Sequence, residues 1–77
     1  MISLYNNKTG DYFEYNPENG LISKNNTIVS GSDYEPVFAT YPDNSAPPIF
    51  VGILFKKEDS VLSMNGNLRK TIDSRQL

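Results

Sequence analysis

The sequence predicts an all-β fold, a small antiparallel meander that closes into a barrel or roll of about six strands. Short segments rich in β-branched and aromatic residues recur about every ten residues, and Asn, Gly and Pro separate them. A continuous apolar run, Ile49 to Phe55, supplies the central strand. A chain of 77 residues is expected to form one domain, spanning residues 1–77.

The first predicted element is a hairpin. Ile2 to Tyr5 alternates between apolar and polar side chains, and Asn6 to Gly10 has the composition of a turn. Asp11 to Tyr15 then resumes the strand pattern with three aromatic residues. A second turn is predicted at residues 16–20, where Pro and Gly occupy positions that turns favour.

A second hairpin is predicted from Leu21–Lys24 and Thr27–Ser30, which flank Asn25 and Asn26. A two-residue loop of this kind requires left-handed backbone, which Asn tolerates. That loop places Ile22 opposite Val29, so two apolar residues share one face.

The middle of the chain contains two predicted loops. Residues 31–36 are expected to form the first, followed by a short strand at residues 37–39, and residues 41–48 form a rigid, exposed, proline-rich loop. The run from Ile49 to Phe55 is expected to be buried on both faces. Gly52 in its interior indicates a bulge, a sharp bend or a close backbone approach.

The last segment has two interpretations. A three-residue loop at residues 65–67 would join strands at 61–64 and 68–72, with Met64 opposite Leu68. In the alternative, Asn67 caps a short C-terminal helix over residues 68–77.

The composition argues against catalysis. The chain has no Cys and no His, which removes disulfides, thiolate ligands, the commonest zinc ligand and the usual general base. It also lacks a Gly-x-Ser-x-Gly, a Ser-x-x-Lys and a Gly-rich phosphate loop. The sequence therefore predicts a non-enzymatic protein with no cofactor, no catalytic residue and no metal site.

The predicted location is the cytoplasm. The first twenty residues lack a basic segment followed by an apolar core, and no stretch is long enough for a membrane-spanning helix. The small size and frequent Asn suit a phage-encoded or bacterial accessory protein. A third interpretation is that the chain is the N-terminal module of a longer protein.

The sequence favours a non-catalytic protein–protein interaction module, with another protein or a second copy, as a homodimer, as its partner. Rigid aromatic and proline surfaces lose little entropy on binding, which points to the first hairpin and the proline-rich loop. Apolar residues Phe50, Ile53 and Phe55 are candidates for a shared face between copies if the barrel does not cover them. The predicted partner-binding residues are Tyr5, Tyr12, Tyr15, Tyr41, Pro42 and Pro47.

The alternative function is a small β-barrel that binds single-stranded nucleic acid. Tyr12, Phe13 and Tyr15 would then stack on bases. Four basic residues would contact phosphate, namely Lys56, Lys57, Arg69 and Lys70. The alternative is disfavoured because nine acidic and seven basic residues are interspersed along the chain, with a net charge of −2.

Overall fold

A computed structural model describes residues 1–29, 31, 33–43 and 45–71. It contains eight strands in two four-stranded antiparallel sheets, with the orders β1-β2-β3-β4 and β5-β6-β7-β8. The strands are β1 (Ile2–Tyr5), β2 (Tyr12–Asn16), β3 (Leu21–Lys24), β4 (Thr27–Ile28), β5 (Tyr34–Ala39), β6 (Ile49–Phe55), β7 (Ser60–Ser63) and β8 (Leu68–Lys70). The predicted all-β class and meander connections are confirmed.

The predicted closure into one barrel or roll of about six strands is not found in the described residues. Every consecutive pair of strands is hydrogen-bonded except β4 and β5, where the chain passes from the first sheet to the second. Each sheet has one apolar face, and stacking the two faces buries both without curling a single sheet. The described residues therefore form two sheets of four strands.

The core lies between the inner faces of the two sheets. Alternate residues of the first sheet and three residues of the second point into it, as strand geometry requires. The Phe13 ring contacts the Phe55 ring across the core, with centroids 5.2 Å apart. The buried set is Leu4, Phe13, Tyr15, Ile22, Ile53, Phe55 and Leu62.

The central strand β6 has the predicted bounds, but it is not buried evenly on both faces. Ile53 and Phe55 face the core, whereas Leu54 is half-buried and Ile49 is 52% exposed. Ile53 and Phe55 are therefore already covered within one chain, which removes them from any face shared by two copies.

Of the three features that Gly52 indicated, a bulge beside it and a close backbone approach are both present. Val37 pairs with Gly52 and Phe38 pairs with Phe50, which leaves Val51 as the extra residue. A Cβ atom at position 52 would overlap the carbonyl oxygen of Leu62 on the neighbouring strand. Glycine at this position therefore permits the close approach of β7.

Both predicted hairpins of the first sheet are present, and the second has the predicted register. In the first, Tyr5 pairs with Tyr12. In the second, the Val29 N–H donates to the Ile22 carbonyl at 2.9 Å. Asn25 and Asn26 have φ values of 49° and 72°, the left-handed conformation that a two-residue hairpin loop needs.

Two loop predictions are corrected. β5 begins at Tyr34, so the second half of the loop predicted over residues 31–36 is strand. In the last hairpin, Leu62 pairs with Leu68, so the predicted pairing of Met64 with Leu68 is wrong. The loop has three residues as predicted but begins at Met64, because the Ser63 N–H already bonds the Asn67 carbonyl at 3.0 Å.

The helix predicted as an alternative over residues 68–77 is not formed at its start. Residues 68–70 are strand β8 instead, where Leu68 joins the core from the edge of the second sheet. The rest of that prediction, from residue 72 onward, lies outside the described residues.

Candidate protein-binding surface

The outer face of the first sheet, the side turned away from the second sheet, carries a pair of tyrosines. Tyr5 and Tyr12 are cross-strand neighbours with ring centroids 4.9 Å apart. The Tyr12 hydroxyl shares a hydrogen bond of 3.1 Å with the Ser3 hydroxyl. Tyr5 is 58% exposed, so the pair presents aromatic surface that is held in place by the sheet.

A groove runs along the same outer face beside the tyrosine pair. The Glu14 side chain lies within it, between Ser3 on one neighbouring strand and Ser23 on the other. Ile28, which pairs with Ser23, is 62% exposed and closes one side. The lining residues are Met1, Glu14, Asn16, Asn19, Leu21, Ser23 and Ile28.

The turn that ends this groove is fixed by asparagine side chains. The Asn16 side-chain oxygen accepts the Glu18 N–H at 2.9 Å, and the Asn19 oxygen accepts the Leu21 N–H at 3.0 Å. Together with the Gly20 N–H, which donates to the Asn16 carbonyl at 2.7 Å, these bonds hold the turn. The groove is consequently shaped by the backbone and by local bonds.

Tyr15, a predicted partner-binding residue, is placed in the core. It is 6% exposed, and its ring packs against Phe50 and Phe38 of the second sheet. Tyr12 and Tyr15 are three residues apart in one strand, so their side chains point to opposite faces. Strand alternation in the sequence already separates them, and the structure leaves Tyr5 and Tyr12 as the tyrosines on the outer face of the first sheet.

The predicted residues of the proline-rich loop form a separate surface. Tyr41, Pro42 and Pro47 are exposed, and Tyr41 is 49% exposed. Tyr41 lines a shallow apolar groove with Ala39, Thr40 and Ile49, where β5 ends and β6 begins. This loop belongs to the second sheet, so the two predicted surfaces are not joined into one site.

The proline-rich loop carries a local bond that shapes its tip. The Ser45 N–H donates to the Asp43 carboxylate at 3.0 Å. Hydrogen bonds from the Ser45 hydroxyl and N–H lower the pKa of Asp43. The loop is thus organised by a turn as well as by its prolines.

The ring platform needed for binding single-stranded nucleic acid is not on the surface. Phe13 is fully buried and Tyr15 nearly so, while Tyr12 lies on the opposite face of the sheet. Two of the candidate phosphate contacts are also engaged, because Lys56 pairs with Glu35 at 3.0 Å and Lys57 with Asp33 at 3.8 Å.

At the end of the first hairpin loop, the Asp11 carboxylate accepts two side-chain hydrogen bonds and pairs with a lysine. The Thr9 hydroxyl and the Asn25 amide donate to Asp11 at 2.9 and 3.2 Å. These two hydrogen bonds, with Lys24 at 3.8 Å, hold the pKa of Asp11 below its ordinary value. Asp11 therefore ties the first hairpin to the second.

Sequence reasoning missed three apolar residues of the outer face, Met1, Leu21 and Ile28. The available signal was strand alternation: Ile22 and Val29 point inward, so Leu21 and Ile28 must point outward. Their apolar character on an outward position distinguishes this face from an ordinary solvated one.

The described residues contain no cluster of three acidic side chains able to hold a metal ion. Within the same ranges, no helix has the length and apolar character needed to cross a membrane. Comparisons of the chain with protein-family models, with curated proteins and with solved structures gave no match. The class that the structure defines is a small all-β protein of two stacked four-stranded meanders.

Proposed function

We propose that this chain is a non-catalytic protein-binding module whose partner docks on the outer face of the first sheet. The observation that carries the proposal is the exposure of Tyr5 and Ile28, at 58% and 62%, on a sheet whose other face already supplies the core. The fold does not need these side chains for burial. Exposed apolar patches mark interaction sites, and Met1, Leu21 and Ile28 form such a patch around the groove.

The groove indicates the chemistry of the partner. Glu14 brings one carboxylate into a groove whose sides include the apolar side chains of Met1, Leu21 and Ile28. A Lys or Arg side chain of a partner matches this arrangement, because its aliphatic stem covers apolar surface while its cation meets the carboxylate. The Tyr5–Tyr12 pair beside the groove supplies the aromatic contact area that interfaces favour.

The proline-rich loop is proposed as a second, weaker contact. Tyr41 and the neighbouring prolines present preformed surface, which limits the entropy lost on binding. A cytoplasmic accessory role, in a bacterium or a phage-infected cell, stays a prediction from the sequence.

The test begins with capture of a partner from bacterial lysate by the immobilised protein, followed by purification of the captured protein. Its affinity is then measured for the wild type and for Tyr5→Ala, Ile28→Ser and Glu14→Gln. Each of the first two substitutions is expected to weaken binding by about tenfold or more if it removes an anchor.

Tyr41→Ala is the comparison: it also truncates an exposed tyrosine, but one in the proposed second contact on the other sheet, so it should weaken binding less than Tyr5→Ala. Circular dichroism verifies that each variant is folded. Binding that is unaffected by Tyr5→Ala and Ile28→Ser, or that is weakened only by Tyr41→Ala, contradicts docking on the outer face.

A further inference from the structure

The two sheets present four edge strands, and three of them are protected against pairing with another strand. β4 has two residues, and β8 has three, of which Arg69 and Lys70 are charged. Short edges and charged side chains are common means of preventing edge-to-edge association.

The third protected edge is β5, which contains a proline. The Lys56 N–H donates to the Asp33 carbonyl at 2.8 Å, so Asp33 and Lys56 form a hydrogen-bonded pair. Hydrogen-bonded and non-hydrogen-bonded pairs then alternate along β5 and β6. Pro36, opposite Ile53, therefore directs its backbone nitrogen away from β6. An incoming strand would find no N–H at the middle of this edge.

The remaining edge, β1, has none of these features. It has four residues, no proline and no charged side chain. The Asn6 N–H donates to the Asp11 carbonyl at 2.9 Å, so these two residues form a hydrogen-bonded pair. Hydrogen-bonded and non-hydrogen-bonded pairs alternate from that pair along β1 and β2. Ser3 and Tyr5 consequently direct their N–H and carbonyl groups away from β2.

We propose that β1 pairs in antiparallel fashion with β1 of a second copy, about a twofold axis that passes beside Ser3. In this register, the Ser3 N–H donates to the carbonyl of the partner's Ser3 and the reciprocal bond forms. The two first sheets then become one continuous sheet of eight strands. This inference rests on the edge and does not depend on the outer-face partner proposed above, although Tyr5 belongs to both surfaces.

The register follows from the apolar pattern of the edge. With Ser3 at the axis, Ile2 lies opposite the partner's Leu4 on the inner face, and Met1 lies opposite the partner's Tyr5 on the outer face. Met1 and Tyr5 are 78% and 58% exposed in the single chain, so this pairing covers both. Apolar cross-strand pairs of this kind stabilise antiparallel sheets.

A register centred on Leu4 fits less well. It would set Ile2 opposite the partner's Asn6, which is 3% exposed and whose side-chain oxygen already accepts the N–H groups of Lys8 and Thr9. It would keep one apolar pair, Leu4 opposite the partner's Leu4, but Tyr5 would lie opposite the partner's Ser3 and Met1 opposite the partner's Asn7. The Ser3 register also opposes no like charges, because the first charged side chain is Lys8.

Sedimentation of the full chain over about a hundredfold range of concentration tests the pairing. The wild type is expected to change from monomer to dimer, and Ser3→Pro to stay monomeric, since proline removes the outward N–H without breaking a bond to β2. Ser3→Ala is the matched control: it removes the same hydroxyl but keeps the N–H, and it should dimerise like the wild type. A wild type that is monomeric throughout, or a Ser3→Pro dimer, overturns the proposal.

Cross-linking tests the register even if Ser3→Pro fails to fold. The chain has no cysteine, so Ser3→Cys introduces a single thiol. Hydrogen-bonded cross-strand residues have Cα atoms about 5.5 Å apart, within disulfide range, so Ser3→Cys should form a covalent dimer on oxidation. Tyr5→Cys should not form a covalent dimer, because the cysteine at position 5 of one chain lies opposite Met1 of the other chain, four residues away from the second cysteine. Equal cross-linking of the two variants, or none at position 3, contradicts the register.

Discussion

The rings of Tyr15 and Phe50 are parallel, with an interplanar angle of 1° and centroids 4.4 Å apart. Tyr15 belongs to the first sheet and Phe50 to the second, so the stack joins the two layers. Phe38 meets both rings edge-on at 6.0 Å. The sheets are thus held at this end by an aromatic cluster with the geometries that ring quadrupoles favour.

The first prediction is that Tyr15 and Phe50 are energetically coupled. Tyr15→Leu and Phe50→Leu should each lower the free energy of unfolding, and the double variant should lose less than their sum by about 0.5 to 1.5 kcal/mol. Urea unfolding of the four proteins measures the coupling. The control cycle combines Phe50→Leu with Tyr5→Leu, on the far face of the first sheet, and should be additive within about 0.5 kcal/mol. Equal coupling in both cycles would mean that the stack contributes nothing specific.

The second prediction concerns Gly52 in the central strand. Gly52→Ala should lower the free energy of unfolding by about 1 to 3 kcal/mol, because the added methyl group meets the Leu62 carbonyl, a backbone atom that cannot rotate away. Thermal or urea unfolding measures the loss. Gly10→Asn serves as the control: no atom lies within 4 Å of a Cβ there, and Asn tolerates the φ of 81°. A fully stable Gly52→Ala protein would show that β7 can move away at no cost.

The parts of the fold that the sequence predicts are those set by local chemistry. Asn25 and Asn26 accept left-handed backbone, so the loop and the pairing of Ile22 with Val29 follow from two adjacent residues. Likewise, the bounds of β6 follow from an apolar run that begins after two prolines and ends at two lysines.

The features that sequence reasoning did not predict depend on contacts between distant segments. The Asn7 N–H donates to the Gly66 carbonyl at 2.9 Å, and the Asn7 amide donates to the Asn65 carbonyl at 3.1 Å. These bonds tie the first hairpin loop to the last one, 58 residues away. In that last loop, Met64 does not pair with Leu68 as predicted. No local pattern encodes this contact. The division into two sheets has the same origin, since it depends on which faces stack.

The candidate surface illustrates the same distinction. Alternation within β2 places Tyr12 and Tyr15 on opposite faces of the sheet, which a count of aromatic residues does not reveal. The groove around Glu14, in contrast, requires the registers of three hairpin connections before its lining residues meet.

The third prediction is that Asn26→Gly stabilises the fold. Glycine at this position avoids the steric cost of a φ of 72°, so the free energy of unfolding should rise by up to about 1 kcal/mol. Asn26→Ala should lower it by a similar amount, because alanine cannot relieve that cost. Urea midpoints of the three proteins give the order Gly, Asn, Ala. Any other order would mean that the Asn26 side chain, and not its backbone, fixes the turn.

The last prediction concerns acid stability and Asp11. Hydrogen bonds from Thr9 and Asn25, with the Lys24 charge nearby, lower the pKa of Asp11 in the folded chain relative to the unfolded one. A lowered pKa means that the ionised carboxylate stabilises the fold above the unfolded pKa of about 3.9, and that this contribution disappears as the pH falls through the folded value. Asp11→Asn cannot ionise, so its urea midpoint should fall less than that of the wild type between pH 7 and pH values below about 3.9. The variant keeps some acid sensitivity, because the pKa of Asp43 is lowered too. Asp43→Asn therefore serves as the comparison. Replacing the Asp43 carboxylate should leave the contribution of Asp11 intact, and the urea midpoint of the double variant should depend least on pH. Parallel pH profiles for Asp11→Asn and the wild type would show that the Thr9 and Asn25 bonds do not favour the ionised carboxylate.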